Sequence, residues 1–187
     1  MLTRLLQGRR IALGLKALSK PGFGLCLGAV RGLAAVDQDL LGFPEYQCAK
    51  SDMANGHFKR ALPGLLRVQA VITNAVGPAS PVTVYLALRA AQAMQYMGEF
   101  DRAIEQVQSV ANSSAPLLGE DRCRVFHAAS LLHLFSGSAS LALREANKAL
   151  ALCESDSSVP TSLFSPTHGL IGLCNFHVSH RPLVGYA

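Results

Sequence analysis

The sequence predicts an all-α protein, a right-handed solenoid of helical hairpins with about three degenerate repeats and a partial fourth. Three observations carry that prediction. Ala and Leu dominate a chain that is 50% hydrophobic yet only 6% aromatic and lacks Trp, and β-branched runs are rare, a composition of helices packed through small residues. A glycine-centred pattern recurs three times at intervals of 42 and 39 residues, a period typical of stacked helical pairs. Pro, Gly and Ser punctuate the chain at helix-length spacing.

Residues 1–36 stand apart. They hold Arg4, Arg9, Arg10, Lys16, Lys20 and Arg31 and no acid, whereas residues 37–187 hold 11 basic and 12 acidic residues. The net charge of +5 therefore belongs to the N-terminal segment. Ile11, Leu15 and Leu18 fall on one helical face, opposite Arg9, Lys16 and Lys20, the amphipathic, acid-free pattern of a mitochondrial transit peptide. Arg31-Gly32-Leu33-Ala34 resembles a matrix-processing site, with the cut expected near Leu33. The apolar run 23–30 is short, interrupted by Gly and followed by Arg31, which disfavours a secretory signal. It is also far shorter than the roughly 20 residues of a membrane span. Scarce Ser weighs against a chloroplast address. Gly22 to Gly28 lacks the spacing and the preceding strand of a dinucleotide-binding loop.

The body, residues 37–154, carries the repeat. Gly56-His57-Phe58-Lys59-Arg60-Ala61-Leu62 matches Gly98-Glu99-Phe100-Asp101-Arg102-Ala103-Ile104, and Gly137-Ser138-Ala139-Ser140-Leu141-Ala142-Leu143 follows more loosely. The glycine ends a helix in a conformation that costs other residues a Cβ clash. The aromatic packs beneath the turn, and the Ala sits where two helices cross closely. Seven residues before each glycine stands another small residue: Ala49, Ala91 and Ser130.

Helix placement follows from the caps. Pro44 opens a helix to about Ala54. A second follows Gly56 and is broken or kinked at Pro63-Gly64 before resuming from Leu65 to Val76. Gly77 to Pro81 is a linker, with Ser80 as N-cap and Pro81 in the first helical position. The next helices run to Met97, from Glu99 to about Asn112, from Asp121 to Phe135, and from Ser138 to Cys153. Ile104, Val107 and Val110 form one apolar stripe; Leu141, Ala142, Ala149 and Leu152 contribute to another. Ser165-Pro166 caps a further helix through Phe176. Residues 155–187 read as a partial fourth repeat or a non-native, disordered tail, from a truncated isoform or a gene model that leaves the parent reading frame. A solenoid ending there lacks its polar cap.

These features together resemble the tetratricopeptide repeat over residues 42–154, without the Trp of its consensus. Leu117-Leu118-Gly119-Glu120-Asp121 resembles the linker of the long, kinesin-light-chain-type repeats, a subtype with a mitochondrial inner-membrane member associated with respiratory complex III. The resemblance implies a concave groove lined by the first helix of each pair. It places Tyr85, Arg89, Gln92 and Tyr96, and then Arg124, His127 and Leu131, on that groove; Arg and Tyr make strong interface anchors. It assigns Gly56, Phe58, Ala61, Gly98, Phe100, Ala103, Gly137 and Ala142 to repeat structure. A clamp for chaperone C-termini is disfavoured: Lys50 and Arg124 supply cations, but Tyr46, Arg89 and Ala128 occupy other clamp positions and the Asn residues are absent.

Enzymatic signatures are lacking. No Walker loop, G-x-S-x-G elbow or H-E-x-x-H occurs. Cys26, Cys48, Cys123, Cys153 and Cys174 are scattered, as in a reducing compartment with simple core packing. Cys174, His177 and His180 have metal-ligand spacing but no fourth ligand, so no metal and no cofactor is expected. His127 and His133 read as surface or groove histidines, Glu99-Asp101-Glu105 as a solvated helix start. The sequon at Asn112 has no meaning in an imported protein. The expected function is a non-enzymatic mitochondrial scaffold or assembly factor for a respiratory complex, holding a protein partner in the groove. Peripheral membrane contact stays open. An RNA- or ribosome-associated role is the alternative, weakened because a near-neutral body lacks the clustered cations that bind phosphate.

Overall fold

The computed structural model describes residues 36–113 and 116–179. All of the expected presequence but Val36, its processing near Leu33, and His180 lie outside them. Every regular element among the described residues is helical: α1 (Pro44–Ala54), α2 (Phe58–Val76), α3 (Pro81–Tyr96), α4 (Phe100–Ala111), α5 (Gly119–Phe135), α6 (Ala139–Ser155), a 3-10 turn (Thr161–Leu163) and α7 (Phe164–Ser179). A further helical turn covers 36–40. Each helix packs on its neighbours in the chain; in addition α3 packs on α5, and α5 on α7.

One turn is built three times. Gly56, Gly98 and Gly137 have φ of 75°, 76° and 81°. Each donates to the carbonyl three residues back: Gly56 to Met53 (3.2 Å), Gly98 to Gln95 (3.0 Å) and Gly137 to Leu134 (3.0 Å). The residue after each glycine reaches back five: His57 to Asp52 (2.7 Å), Glu99 to Met94 (2.9 Å) and Ser138 to His133 (2.7 Å). These paired bonds are the Schellman motif, which satisfies the last carbonyls of a helix and needs left-handed backbone at the glycine. His57, Glu99 and Ser138 then share one backbone conformation as N-caps (ψ 55°, 59° and 60°), so α1–α2, α3–α4 and α5–α6 are hairpins closed by the same geometry.

Small residues set the approach of the helices. Ala61, Ala103 and Ala142 are wholly buried, as are Ala49, Ala91 and Ser130 on the preceding helices. Ser130 Oγ donates to the backbone carbonyl of Ala142 across the α5–α6 crossing, at 2.7 Å. At the α1–α2 crossing a Cβ on Gly64 would lie 3.0 Å from the Glu45 carbonyl and 3.2 Å from Ala49 Cβ. Phe58 and Phe100 pack partly buried against the core, and Ala139 fills the corresponding place in the third hairpin.

Several sequence expectations need correction. The break at Pro63-Gly64 is absent, and α2 is one helix of 19 residues. Pro63 is exposed, so the carbonyl of Lys59 that it leaves without a partner is open to water, while Gly64 faces α1. Leu141 is exposed on α6, whose buried stripe runs through Ala142, Ala146, Ala149 and Cys153. The C-terminal helix starts at Phe164, behind the 3-10 turn, rather than at a Ser165 cap. Val36, placed in the presequence, is buried in the same core as Leu40 and Tyr46.

The main core runs from Val36 through α1–α4 to Leu132 of α5. Two smaller clusters continue it, one around Cys123, Ala149, Cys153 and Leu163, the other joining Ala142 and Ala146 to Leu170 and Cys174 of α7. Among the described residues no helix is long and apolar enough to cross a membrane.

The turn geometry makes Gly→Ala context-dependent. Gly98→Ala is expected to destabilise the protein by about 1–2 kcal/mol, because Cβ is disfavoured at positive φ. Gly169→Ala, in the exposed interior of α7 with open space around it, is expected to stabilise by up to about 1 kcal/mol. Urea unfolding of the two variants checks the opposite signs.

Candidate binding site between α3 and α5

The α3–α5 contact leaves a cavity of about 560 Å³, open on one side and bounded at one edge by Asp37. Helical spacing builds its walls. On α3, Tyr85, Leu88, Arg89 and Gln92 recur every three to four residues; on α5, Arg124, His127, Ala128 and Leu131 do the same, which puts each set on one face. Tyr85, Arg89, Gln92, Arg124, His127 and Leu131 are thus brought together. Tyr96 is not. It lies at the end of α3, 58% exposed, with its ring stacked on Phe58 (centroids 4.5 Å apart, planes at 18°), and Gln95 takes the last place on the wall. Most of the lining is apolar, with Pro81, Val84, Leu88, Ala91, Leu131 and Leu132 between the polar groups.

The acids of the site are neutralised within the fold. Asp37 accepts from Tyr46, Lys50 and Tyr85; the Tyr85 hydroxyl lies 3.3 Å away and 3.1 Å from that of Tyr46. Burial alone would raise the Asp37 pKa, but the hydrogen bonds from Lys50 and Tyr46 outweigh it and hold the carboxyl below the usual range. Burial, reinforced by Asp37, pushes the Tyr46 hydroxyl far up. On α5, Arg124 is 3% exposed and pairs with Glu120 and, at 3.4 Å, with Asp121. Burial pushes Asp121 up to about 6. Arg124 therefore contributes a shaped wall more than a free charge.

Arg89 differs. Its Nη1 donates to Gln92 Oε1 at 2.7 Å, its Nε is buried without a partner, and no carboxylate among the described residues pairs with it. It is the cation of the cavity left without a counter-charge among the described residues.

His127 and His133, read from sequence as surface or groove residues, are both buried. His127 forms part of the wall, but its Nε2 lies 2.7 Å from Thr167 Oγ1 on α7. Burial lowers the pKa of both rings; at His133, Glu145 opposes that shift. Cys174 is buried against Ala142 and Ala146, whereas His177 on the same helix is exposed, so the two do not converge.

The chain matches no protein-family model, and no curated protein matches it.

Sequence reasoning missed Asp37, which sits beside the presequence boundary and acquires its role only when α1 and α3 bring tyrosines to it. It also missed the burial of Glu120 and Asp121. Their spacing to Arg124 (i+4 and i+3) was the available signal.

The buried His127 gives stability a pH dependence. Its folded pKa lies below the ordinary value of about 6.5, so between those two values the unfolded chain binds a proton that the native state refuses. Stability falls as the pH drops through that window. Asp121, with its raised pKa, acts oppositely between about 3.8 and 6. His127→Gln is expected to flatten the loss between pH 6.5 and 5.5 by up to about 1 kcal/mol per pH unit. Urea unfolding at both pH values measures it, and an unchanged slope contradicts the assignment.

Proposed function

We propose that this chain is a non-enzymatic protein-binding scaffold of mitochondria, a tetratricopeptide-type solenoid that holds a segment of a partner protein between α3 and α5. The observation that carries the reading is the cavity. It is open, mostly apolar, large enough for two or three side chains, and it presents Arg89, which no carboxylate among the described residues pairs with. Apolar pockets with a few placed polar groups are the usual form of a recognition site, and a partly buried Arg is a frequent interface anchor.

The solenoid assignment is supported by the thrice-repeated Schellman turn and by the buried small residues seven before and five after each glycine. The mitochondrial address rests on the acid-free, amphipathic residues 1–36. Assembly or maintenance of a respiratory complex is the task this address and the family resemblance favour. Without residues 1–36 the chain is close to neutral, so recognition of a protein surface suits it better than recognition of phosphate.

Arg89→Ala and Leu131→Ala are each expected to weaken partner capture about tenfold, roughly 1.4 kcal/mol, without loss of helix content. Tyr96→Ala is expected to leave capture unchanged, since its ring lies against Phe58. Quantitative co-purification from mitochondria, with circular dichroism on each variant, decides. Equal capture by wild type, Arg89→Ala and Leu131→Ala would remove the cavity from the account.

A further inference from the structure

Cys123 on α5 and Cys153 on α6 are thirty residues apart in the chain, yet their sulfur atoms lie 3.7 Å from one another and neither is engaged in a disulfide. Cys123 is fully buried and Cys153 is 5% exposed. Polar groups of α5, α6 and α7 surround the pair. The Leu163 carbonyl can only accept, and Thr167 Oγ1 donates its single hydrogen there at 2.6 Å. His127 Nε2, 2.7 Å from the same oxygen, must then be the donor, so the ring carries its hydrogen on Nε2. The Ala149 carbonyl, 3.9 Å from Cys123 Sγ, takes the Cys123 thiol hydrogen. Cys123 Sγ also lies 4.0 Å from His127 Nε2, and Cys153 Sγ 3.8 Å from Thr167 Oγ1. Cys174, the other buried thiol of the described residues, has Ser130 Oγ rather than sulfur at 3.7 Å.

We propose that Cys123 and Cys153 are an oxidation site, which hydrogen peroxide converts into a disulfide tying α5 to α6. Cys153, the more accessible of the two, reacts first. Its sulfur attacks one peroxide oxygen, the O–O bond breaks, and the displaced hydroxide leaves as water with the Cys153 thiol proton. The Cys153 sulfenic acid is then attacked by Cys123. The S–S bond forms, the S–O bond breaks, and the second hydroxide leaves as water with the Cys123 proton. Two thiols are oxidised by two electrons, and one peroxide is reduced to two waters. Burial admits peroxide more readily than larger oxidants, and a thiol already in contact outcompetes a second peroxide for the sulfenic acid. The bond would close across the hairpin whose first helix carries Arg124, His127 and Leu131. This inference does not rest on the proposed binding function.

The test treats the reduced, full-length native protein with a few-fold excess of hydrogen peroxide, then denatures it, alkylates the remaining thiols and maps the peptides by mass spectrometry without reduction. The expected product is a peptide pair joining Cys123 to Cys153. It should be reversed by dithiothreitol, absent from Cys153→Ser and retained in Cys48→Ser. The melting temperature should rise by about 10 °C on oxidation, from the reduced entropy of the cross-linked unfolded chain. Recovery of both cysteines in alkylated form while the exposed Cys48 is oxidised would overturn the proposal. So would a sulfinic acid on Cys153 beside a free Cys123, or linkage of either residue to Cys26 or Cys48. The wild-type map decides even if Cys153→Ser fails to fold.

Discussion

The structure depends on helices approaching one another closely at small side chains. Ala61, Ala103 and Ala142 are buried on the second helix of each hairpin and Ala49, Ala91 and Ser130 on the first, with Ser130 bonded to Ala142 and Ala49 close to Gly64. Each buries little area by itself, so the transfer free energy of one methyl is small. What it permits is larger: the neighbouring Leu, Val and Tyr side chains interlock around each crossing at interior density. An added methylene at such a point typically costs about 1–3 kcal/mol, which explains why the constraint shows in the sequence as an invariant residue class within the chain. The Schellman turns serve the same end. By fixing the exit of α1, α3 and α5 identically, they deliver the next helix onto that crossing in the same register each time.

The second organising feature is the polarity of α5. This helix buries Glu120, Asp121, Arg124, His127, Ser130 and His133, a set that normally faces water. Breaking a buried ion pair such as that of Arg124 with Glu120 and Asp121 costs about 3–5 kcal/mol, although the pair itself adds little net stability. Its value is positional, since it locks one wall of the cavity. The opposite wall, on α3, holds Arg89 with only an amide partner identified. This asymmetry makes one side of the cavity a finished structural element, while on the other no carboxylate among the described residues pairs with Arg89.

How far the sequence could be read follows from the range of each interaction. Gly56, Gly98 and Gly137 were legible because a positive φ is a local demand that glycine alone meets cheaply. The helix limits at Pro44, Ser80 and Pro81 were legible for the same reason. Pro63 misled because its effect depends on which face it occupies, and that face is exposed. Six of the seven groove positions share the cavity because a 3.6-residue period on two helices is enough to align them; Tyr96 departs because Phe58, at the start of α2, captures its ring. The burial of α5 was illegible for a related reason. Periodicity marks an apolar stripe, and a helix enclosed by α4, α6 and α7 has none. The contact of Cys123 with Cys153, and that of Asp37 with Tyr46 and Tyr85, likewise exist only once the hairpins have closed.

On the proposed reading, the face between α3 and α5 is where another protein sits. Site-specific incorporation of a photo-crosslinking amino acid at Leu131, which lines the cavity, and in parallel at Leu141, exposed on α6 and outside it, tests this in intact mitochondria. A discrete protein adduct is expected from position 131 and none from position 141. No adduct at 131, or the same adduct from both positions, would contradict it.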